Sequence, residues 1–140
     1  MATLNWDKFR DITDDPRSSF ESLCRAIIHF RFARFGRVRS LANQPGVECH
    51  LELDSSCELG EAPRWWGWQC KWFEVSSSNK LSKAQRDEIE SSLRITEREL
   101  PKLTDWVLWT RKPLSKSDAD WFEGLTAGPM LHRWDDTHIS

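Results

Sequence analysis

Three polar residues interrupt two otherwise apolar segments, and their types and spacing suit chemistry at a phosphate group. Glu48 lies in a segment of alternating polarity, and Gln69 and Lys71 lie two positions apart in a tryptophan-rich segment. A carboxylate and an amide oxygen are hard ligands for Mg²⁺, and water fills its remaining octahedral positions. A nearby lysine can orient or deprotonate an attacking water and offset the charge of the phosphate. Glu21 is a third acidic candidate for the same site.

Two predicted strands position these side chains. Residues 47–54 alternate strictly, which predicts a half-buried strand after a turn at residues 43–46. One face carries Val47, Cys49, Leu51 and Leu53, and the other carries Glu48, His50, Glu52 and Asp54. Residues 64–73 predict a second strand, with Gln69 and Lys71 opposite the face of Trp66, Trp68, Cys70 and Trp72. If the two strands pair as a hairpin, Glu48 lies across from the region of Gln69 and Lys71.

The remaining pattern predicts an α/β fold. Apolar residues at helical spacing predict a helix that begins after Asp14-Asp15, at Pro16, and ends at Gly36. Further predicted elements are a short strand over residues 38–42, a helix over 81–100, a buried strand over 103–110, a helix over 115–123 capped by Ser115 or Ser117, and a strand-like segment over 130–134. The core order is α-β-β-β-α-β. We therefore expect a mixed central sheet flanked by helices.

These segments resemble a known family of nucleases. Pro45-Gly46-Val47-Glu48, followed by Gln69-Cys70-Lys71, resembles the signature of PD-(D/E)XK nucleases, and the Gln-x-Lys form is similar to the Mrr-like variant. The longer stretch, with Trp-Gly-Trp-Gln-x-Lys-Trp-Phe and a following Leu-x-x-x-Gln helix, is similar to the N-terminal effector nuclease domains of bacterial STAND-type NTPases, which sense phage and then degrade DNA. The resemblance covers residues 20–125.

The resemblance implies a restriction-endonuclease-like core and an Mg²⁺- or Mn²⁺-dependent endonuclease that cleaves double-stranded DNA in anti-phage defence. In such a site Glu48 matches the first metal-binding acid, Gln69 takes the position of the second acid, and Lys71 is the motif lysine. Glu21 matches the helix glutamate of many members and is a further candidate metal ligand. Gln85 matches a glutamine that contacts DNA or supports the site.

Two departures from the family pattern bear on the metal. The usual first residue is Asp, whereas Glu48 is one methylene longer, and Gln69 is neutral. Metal affinity would therefore rest more on Glu48 and on Glu21. Two alternatives follow. One is a catalytically inactive nuclease fold that still binds DNA, and the other is a protein-interaction or oligomerisation module with the tryptophan-rich strand as its contact surface.

The composition is that of one globular domain. The chain has 140 residues, a formal net charge of -2, and 9 Trp, which we expect to fill the core. We expect the nuclease domain in residues 1–125. Residues 126–140 are expected to be the end of that domain or the start of a connection to a missing C-terminal NTPase or sensor region, which would drive self-association. Neither a secretory signal nor an apolar run of spanning length is present, which predicts a cytoplasmic protein with reduced cysteines and no membrane partner.

Structural explanations compete with each functional one. Glu48 and Lys71 could form only a cross-strand ion pair, and Glu21 could only stabilise a helix dipole. His50 and Glu52 are expected on a solvated strand face, and Gln85 could be an ordinary residue of a helix surface. Five arginines on and after the first long helix fit either a solvated face or a phosphate-binding patch: Arg25, Arg31, Arg34, Arg37 and Arg39.

Overall fold

The computed structural model describes residues 5–11, 14–40, 46–74 and 79–139. Its helices are α1 (Trp6–Asp11), α2 (Pro16–Phe32), α3 (Lys83–Glu99) and α4 (Lys116–Glu123), with short 3₁₀ turns at Ala33–Phe35 and Asp136–His138. Its strands are β1 (Gly36–Ser40), β2 (Cys49–Leu53), β3 (Trp65–Lys71), β4 (Asp105–Thr110) and β5 (Met130–Trp134). The strand-like segment at residues 130–134 is thus a strand, as its pattern predicted.

The strands form one mixed sheet in the order β1-β2-β3-β4-β5. β1, β2 and β3 are antiparallel neighbours, whereas β4 runs parallel to both β3 and β5. Two apolar cores lie on opposite faces of the sheet: α1 and α2 contribute to one, and α3 and α4 contribute to the other. The prediction of an α/β fold with a mixed sheet flanked by helices is confirmed, and this arrangement is consistent with a nuclease-like core.

Side-chain caps mark where the helices begin. The Asp15 carboxylate accepts a hydrogen bond from the backbone N–H of Ser18 at the start of α2, where Pro16 occupies the first turn. Ser115 caps α4, as predicted. The cap of α3 is Ser82, so this helix begins two residues later than the sequence pattern predicted.

The expected end of the first long helix at Gly36 is wrong. α2 ends at Phe32, and the chain turns through a short 3₁₀ segment into β1, whose first residue is Gly36. A Cβ at position 36 would overlap the carbonyl oxygen of Glu52 on the neighbouring strand, so the glycine is required by close strand pairing. β1 begins two residues earlier than predicted, and its described part ends at Ser40. Residues 41–45, which include the Pro45 of the motif, lie outside the described residues.

The tryptophans fill the core, as predicted. None of the nine side chains is exposed, and Trp68, Trp106 and Trp109 are fully buried. The large hydrophobic side chains that the described part of the chain exposes are Phe30 and Met130. Among the described helices, none is long and apolar enough to span a membrane.

Candidate functional site

The turn before β2 sets the position of Glu48. Gly46 has a φ of 100°, and its carbonyl oxygen accepts hydrogen bonds from Thr96 Oγ1 (2.8 Å) and Trp106 Nε1 (3.3 Å). Val47 then packs into the core beside α3, not on the face of Cys49 as expected, because the regular strand begins only at Cys49. The backbone N–H of Glu48 donates to Trp68 O at 2.9 Å, which fixes the residue alongside β3.

Glu48 and Gln69 form a buried pair across the two strands. Gln69 Nε2 donates to Glu48 Oε1 at 2.8 Å, and the backbone N–H of Cys70 donates to Glu48 Oε2 at 2.7 Å. The exposed fractions of the two residues are 9% for Glu48 and 3% for Gln69. The prediction that the two segments pair side by side, with Glu48 across from the region of Gln69, is therefore confirmed.

One oxygen of this pair has no partner within the described part of the chain. The charged carboxylate of Glu48 only accepts hydrogen bonds, so in that form the NH₂ group of Gln69 faces it and Gln69 Oε1 points away. This oxygen is buried and accepts no hydrogen bond from any described residue. An unsatisfied buried carbonyl costs on the order of 1–3 kcal/mol, so such an oxygen favours a bound water or a cation.

Burial changes the acidity of Glu48. The pKa of its carboxyl group is raised from 4.5 to about 7, chiefly because burial disfavours the charged form. The negative charge of Glu21 on α2 raises the same pKa further, whereas the Cys70 N–H and the positive charge of Lys71 lower it. Glu21, Glu48 and Lys71 are therefore close enough to act on one another electrostatically.

Lys71 is held by α3 rather than by β2. Its side chain is buried, and Nζ donates to Glu88 Oε1 at 2.8 Å. The alternative of a simple cross-strand ion pair between Glu48 and Lys71 does not describe this contact, because the carboxylate that pairs with Lys71 comes from a helix. Lys71 extends from the same face of β3 as Gln69, two residues further along the strand.

Glu88 and Arg17 join the site although sequence analysis did not select them. Arg17 lies 3.2 Å from Glu88 and 3.7 Å from Glu21, so it links the two carboxylates. Partial burial raises the pKa of Glu88, but the hydrogen bonds and charges of Lys71 and Arg17 outweigh it and lower this pKa overall. A weak signal was available: Gln85, Glu88 and Ser92 lie on one stripe of α3 beside its apolar face.

Gln85 supports the helix that carries Glu88. Its Oε1 accepts from the backbone N–H of Ser82, and its Nε2 donates to the carbonyl oxygen of Glu74, each at 2.8 Å. Both polar groups of the side chain are thus engaged within the protein. They complete the cap of α3 and tie its first turn to the segment after β3.

The expectation of a solvated strand face is confirmed for Glu52 and wrong for His50. Glu52 is exposed, but His50 is buried and accepts a hydrogen bond from Trp65 Nε1 at its Nδ1 (2.9 Å). Burial lowers the pKa of His50, which favours its neutral form. His50 therefore anchors Trp65 and is not part of the Glu48 pair.

The donor set suits a hard cation with few protein ligands. No cluster of three or more His, Cys, Asp or Glu side chains suited to a metal occurs among the described residues. The unpartnered Gln69 Oε1 beside the Glu48 carboxylate nevertheless fits Mg²⁺, which keeps several of its waters and takes only one or two carboxylates. Glu21 is a further carboxylate whose charge acts on Glu48.

Comparison with known proteins adds no relative. No protein-family model matches the chain, and no curated protein matches it significantly.

Proposed function

We propose that this chain is a metal-dependent endonuclease domain that hydrolyses the phosphodiester bonds of double-stranded DNA. The observation that carries the proposal is the buried Gln69 Oε1, which lacks a partner among the described residues and lies beside Glu48, on the same strand face as Lys71. The resemblance to PD-(D/E)XK nucleases supports the assignment, because it gives these three positions their roles. The role in anti-phage defence rests on that resemblance alone.

The proposed cation would be held by Glu48 and by Gln69 Oε1, with Glu21 as the further candidate ligand. When bound, Mg²⁺ or Mn²⁺ supplies positive charge at the phosphoryl oxygen and makes water a stronger acid. Glu48 and Gln69 are both buried, and electrostatic stabilisation of a developing negative charge is stronger in such surroundings than in bulk water.

Lys71 supplies the second positive charge of the site. Its ammonium group is held at 2.8 Å by Glu88, so its position is set before the substrate arrives. From there Lys71 can donate a hydrogen bond to an oxygen of the scissile phosphate or orient the attacking water. Glu88 and Arg17 act through Lys71 and Glu21 and are positioning residues.

The protein-interaction alternative loses its proposed contact surface. The tryptophans of β3 lie in the core or half-buried against it, and none presents an exposed face. Catalysis by the nuclease fold and DNA binding without catalysis are therefore the two functions to separate.

Plasmid cleavage tests the proposal. Wild type, Lys71→Ala and the control Lys116→Ala are incubated at high concentration with supercoiled DNA and Mg²⁺, Mn²⁺ or EDTA. Lys116 is exposed and pairs with Asp120, so its loss removes an equal charge away from the site. We expect metal-dependent nicking by the wild type and the control, and a fall of about 100-fold or more in Lys71→Ala.

The same assay can overturn the proposal. If the isolated domain is inactive, it is repeated with two copies joined by a dimerising tag. Absence of cleavage in both forms, under both metals, would exclude catalysis. Equal cleavage by wild type and Lys71→Ala would contradict the assigned site.

A further inference from the structure

Positive charge is concentrated in one stretch of the chain. Between Glu21 and Glu48 there is no acidic residue, and this stretch holds five arginines. It forms most of α2 and all of β1. Because the net charge of the whole chain is -2, the rest of the molecule is more acidic than basic.

Four arginines of this stretch differ in their pairing from the arginines outside it. Each arginine outside it has a carboxylate partner, with N···O distances of 2.7 to 3.4 Å: Arg10, Arg17, Arg64, Arg86, Arg94, Arg98, Arg111 and Arg133. Within the described ranges, four arginines of the stretch make no ion pair with a carboxylate: Arg25, Arg34, Arg37 and Arg39. Glu52 lies across from Arg37 in the strand register, but none of the four guanidinium groups forms an ion pair with a described carboxylate, so each remains available to an anionic partner.

These four residues are here called the arginine band. Arg25 and Arg34 lie on and just after α2, which packs on the sheet face of Val38, whereas Arg37 and Arg39 extend from the other face of β1. Arg25 lies one helical turn after Glu21 on α2. On β1, Arg39 pairs in register with His50, and the next residue pairs with Cys49, the neighbour of Glu48. Arg37 is two residues further from the site on the same face of β1.

The band is accessible along an edge of the sheet. β1 is the outermost strand, so one of its sides has no neighbouring strand within the sheet. Arg34, Arg37 and Arg39 are exposed, and Arg25 is half-buried. The guanidinium of Arg34 also lies over the ring of Phe35, 4.8 Å from its centroid, which limits the freedom of that side chain.

We infer that the arginine band binds the phosphate backbone of duplex DNA and guides it to Glu48 and Lys71. The inference rests on the proposed function for the identity of the anion. Duplex DNA carries about one negative charge per 1.7 Å of its axis, which complements a band of unpaired arginines better than a folded protein surface does. Planar guanidinium groups also match phosphate oxygens in pairs.

Salt-dependent DNA binding tests the inference without cleavage. Fluorescence anisotropy of a labelled duplex in EDTA is measured for wild type, for Arg37→Gln with Arg39→Gln, and for a control with Arg98→Gln and Arg133→Gln. Both double variants lose two positive charges, but the control residues are exposed arginines already paired with Glu99 and Glu123. The band double should bind at least about tenfold more weakly, and its slope of log affinity against log salt should be smaller by about 2.

The outcomes separate this inference from the proposed nuclease. If the two doubles bind alike, the inference fails, even where plasmid cleavage succeeds. If the band double loses binding while wild type never cleaves, the band stands and the nuclease fails. A competition experiment with polyglutamate tests whether the partner is instead an acidic protein. Displacement of the DNA by polyglutamate at an equal concentration of charge would assign the band to a protein partner and overturn the inference.

Discussion

At the scale of single residues, the pair of Glu48 and Gln69 is the most unusual feature. A buried carboxylate with a pKa of about 7 lies against an amide whose oxygen has no described partner. Both features disfavour the isolated fold, because burial without compensation costs free energy. A cation at this position would relieve both at once, since it favours the charged carboxylate and gives the amide oxygen a ligand bond.

The raised pKa of Glu48 predicts a pH-dependent stability. Between pH 4.5 and about 7 the folded protein holds a proton that the unfolded chain has lost. The contribution of Glu48 to stability therefore falls as the pH rises through this window, and it is constant above it. The full loss is on the order of 3 kcal/mol.

Urea unfolding without metal at pH 5 and pH 8 measures this effect. The free energy of unfolding of Glu48→Gln minus that of wild type should be larger at pH 8 than at pH 5 by up to about 3 kcal/mol. Glu52→Gln, at an exposed position of β2, is the control and should follow the wild-type profile. Parallel profiles for wild type and Glu48→Gln would show that Glu48 keeps an ordinary pKa.

At the scale of elements, two attachments hold the site together. α3 supplies Glu88 to Lys71, and the cap of Gln85 fixes the first turn of this helix against the segment after β3. The turn at Gly46 is held from the other side by Thr96, near the end of α3. The same helix thus positions both the lysine and the strand that carries Glu48.

Gly46 is expected to be intolerant of any side chain. Its φ of 100° strains other residues, and a Cβ there would lie 2.7 Å from Thr96 Oγ1. Gly46→Ala should lower the free energy of unfolding by about 1–3 kcal/mol. Gly128→Ala is the matched control, because a Cβ at that position meets its nearest atom at 3.6 Å. Equal urea midpoints for the two variants would contradict the role of the turn.

At the scale of the whole molecule, a small net charge coexists with a local concentration of positive charge. A net charge of -2 by itself argues against autonomous DNA binding, yet among the described residues the four arginines of the band form no ion pair, whereas the arginines outside this stretch each pair with a carboxylate. A local positive surface can attract DNA even when the molecule as a whole is slightly acidic.

The proposed site predicts how many strands one domain cuts. One centre hydrolyses one phosphodiester bond at a time, so a single domain should nick supercoiled plasmid. A tandem fusion that places two centres on one duplex should produce linear DNA at a rate about ten-fold higher or more, through raised effective concentration. Gel analysis of nicked and linear products distinguishes single-strand cleavage by one domain from double-strand cleavage by the fusion. A fusion with one Lys71→Ala copy is the control and should only nick, and linear product from it would contradict the single-strand assignment.

The local sequence alone determined the strands, the faces of β3 and the pairing of Glu48 with Gln69. These follow from the two-residue period of a strand and from short-range pairing of neighbours, which need no knowledge of the rest of the chain. The cap at Ser115 was likewise foreseen, whereas the cap at Ser82 was missed, although the Ser-x-x-Gln spacing of Ser82 and Gln85 is a local capping-box signature. The end of α2 was missed because close approach of β2, not local preference, makes Gly36 a strand residue.

Only the tertiary structure decided what surrounds the three motif residues. The contact from Lys71 to Glu88 joins a strand to a helix, the charge of Glu21 reaches Glu48 from α2, and Gln69 Oε1 is buried without a partner among the described residues. Residue types and spacing indicate which groups are available for chemistry. Burial, pKa and missing partners are properties of a position in space, and they arise only when distant segments pack together.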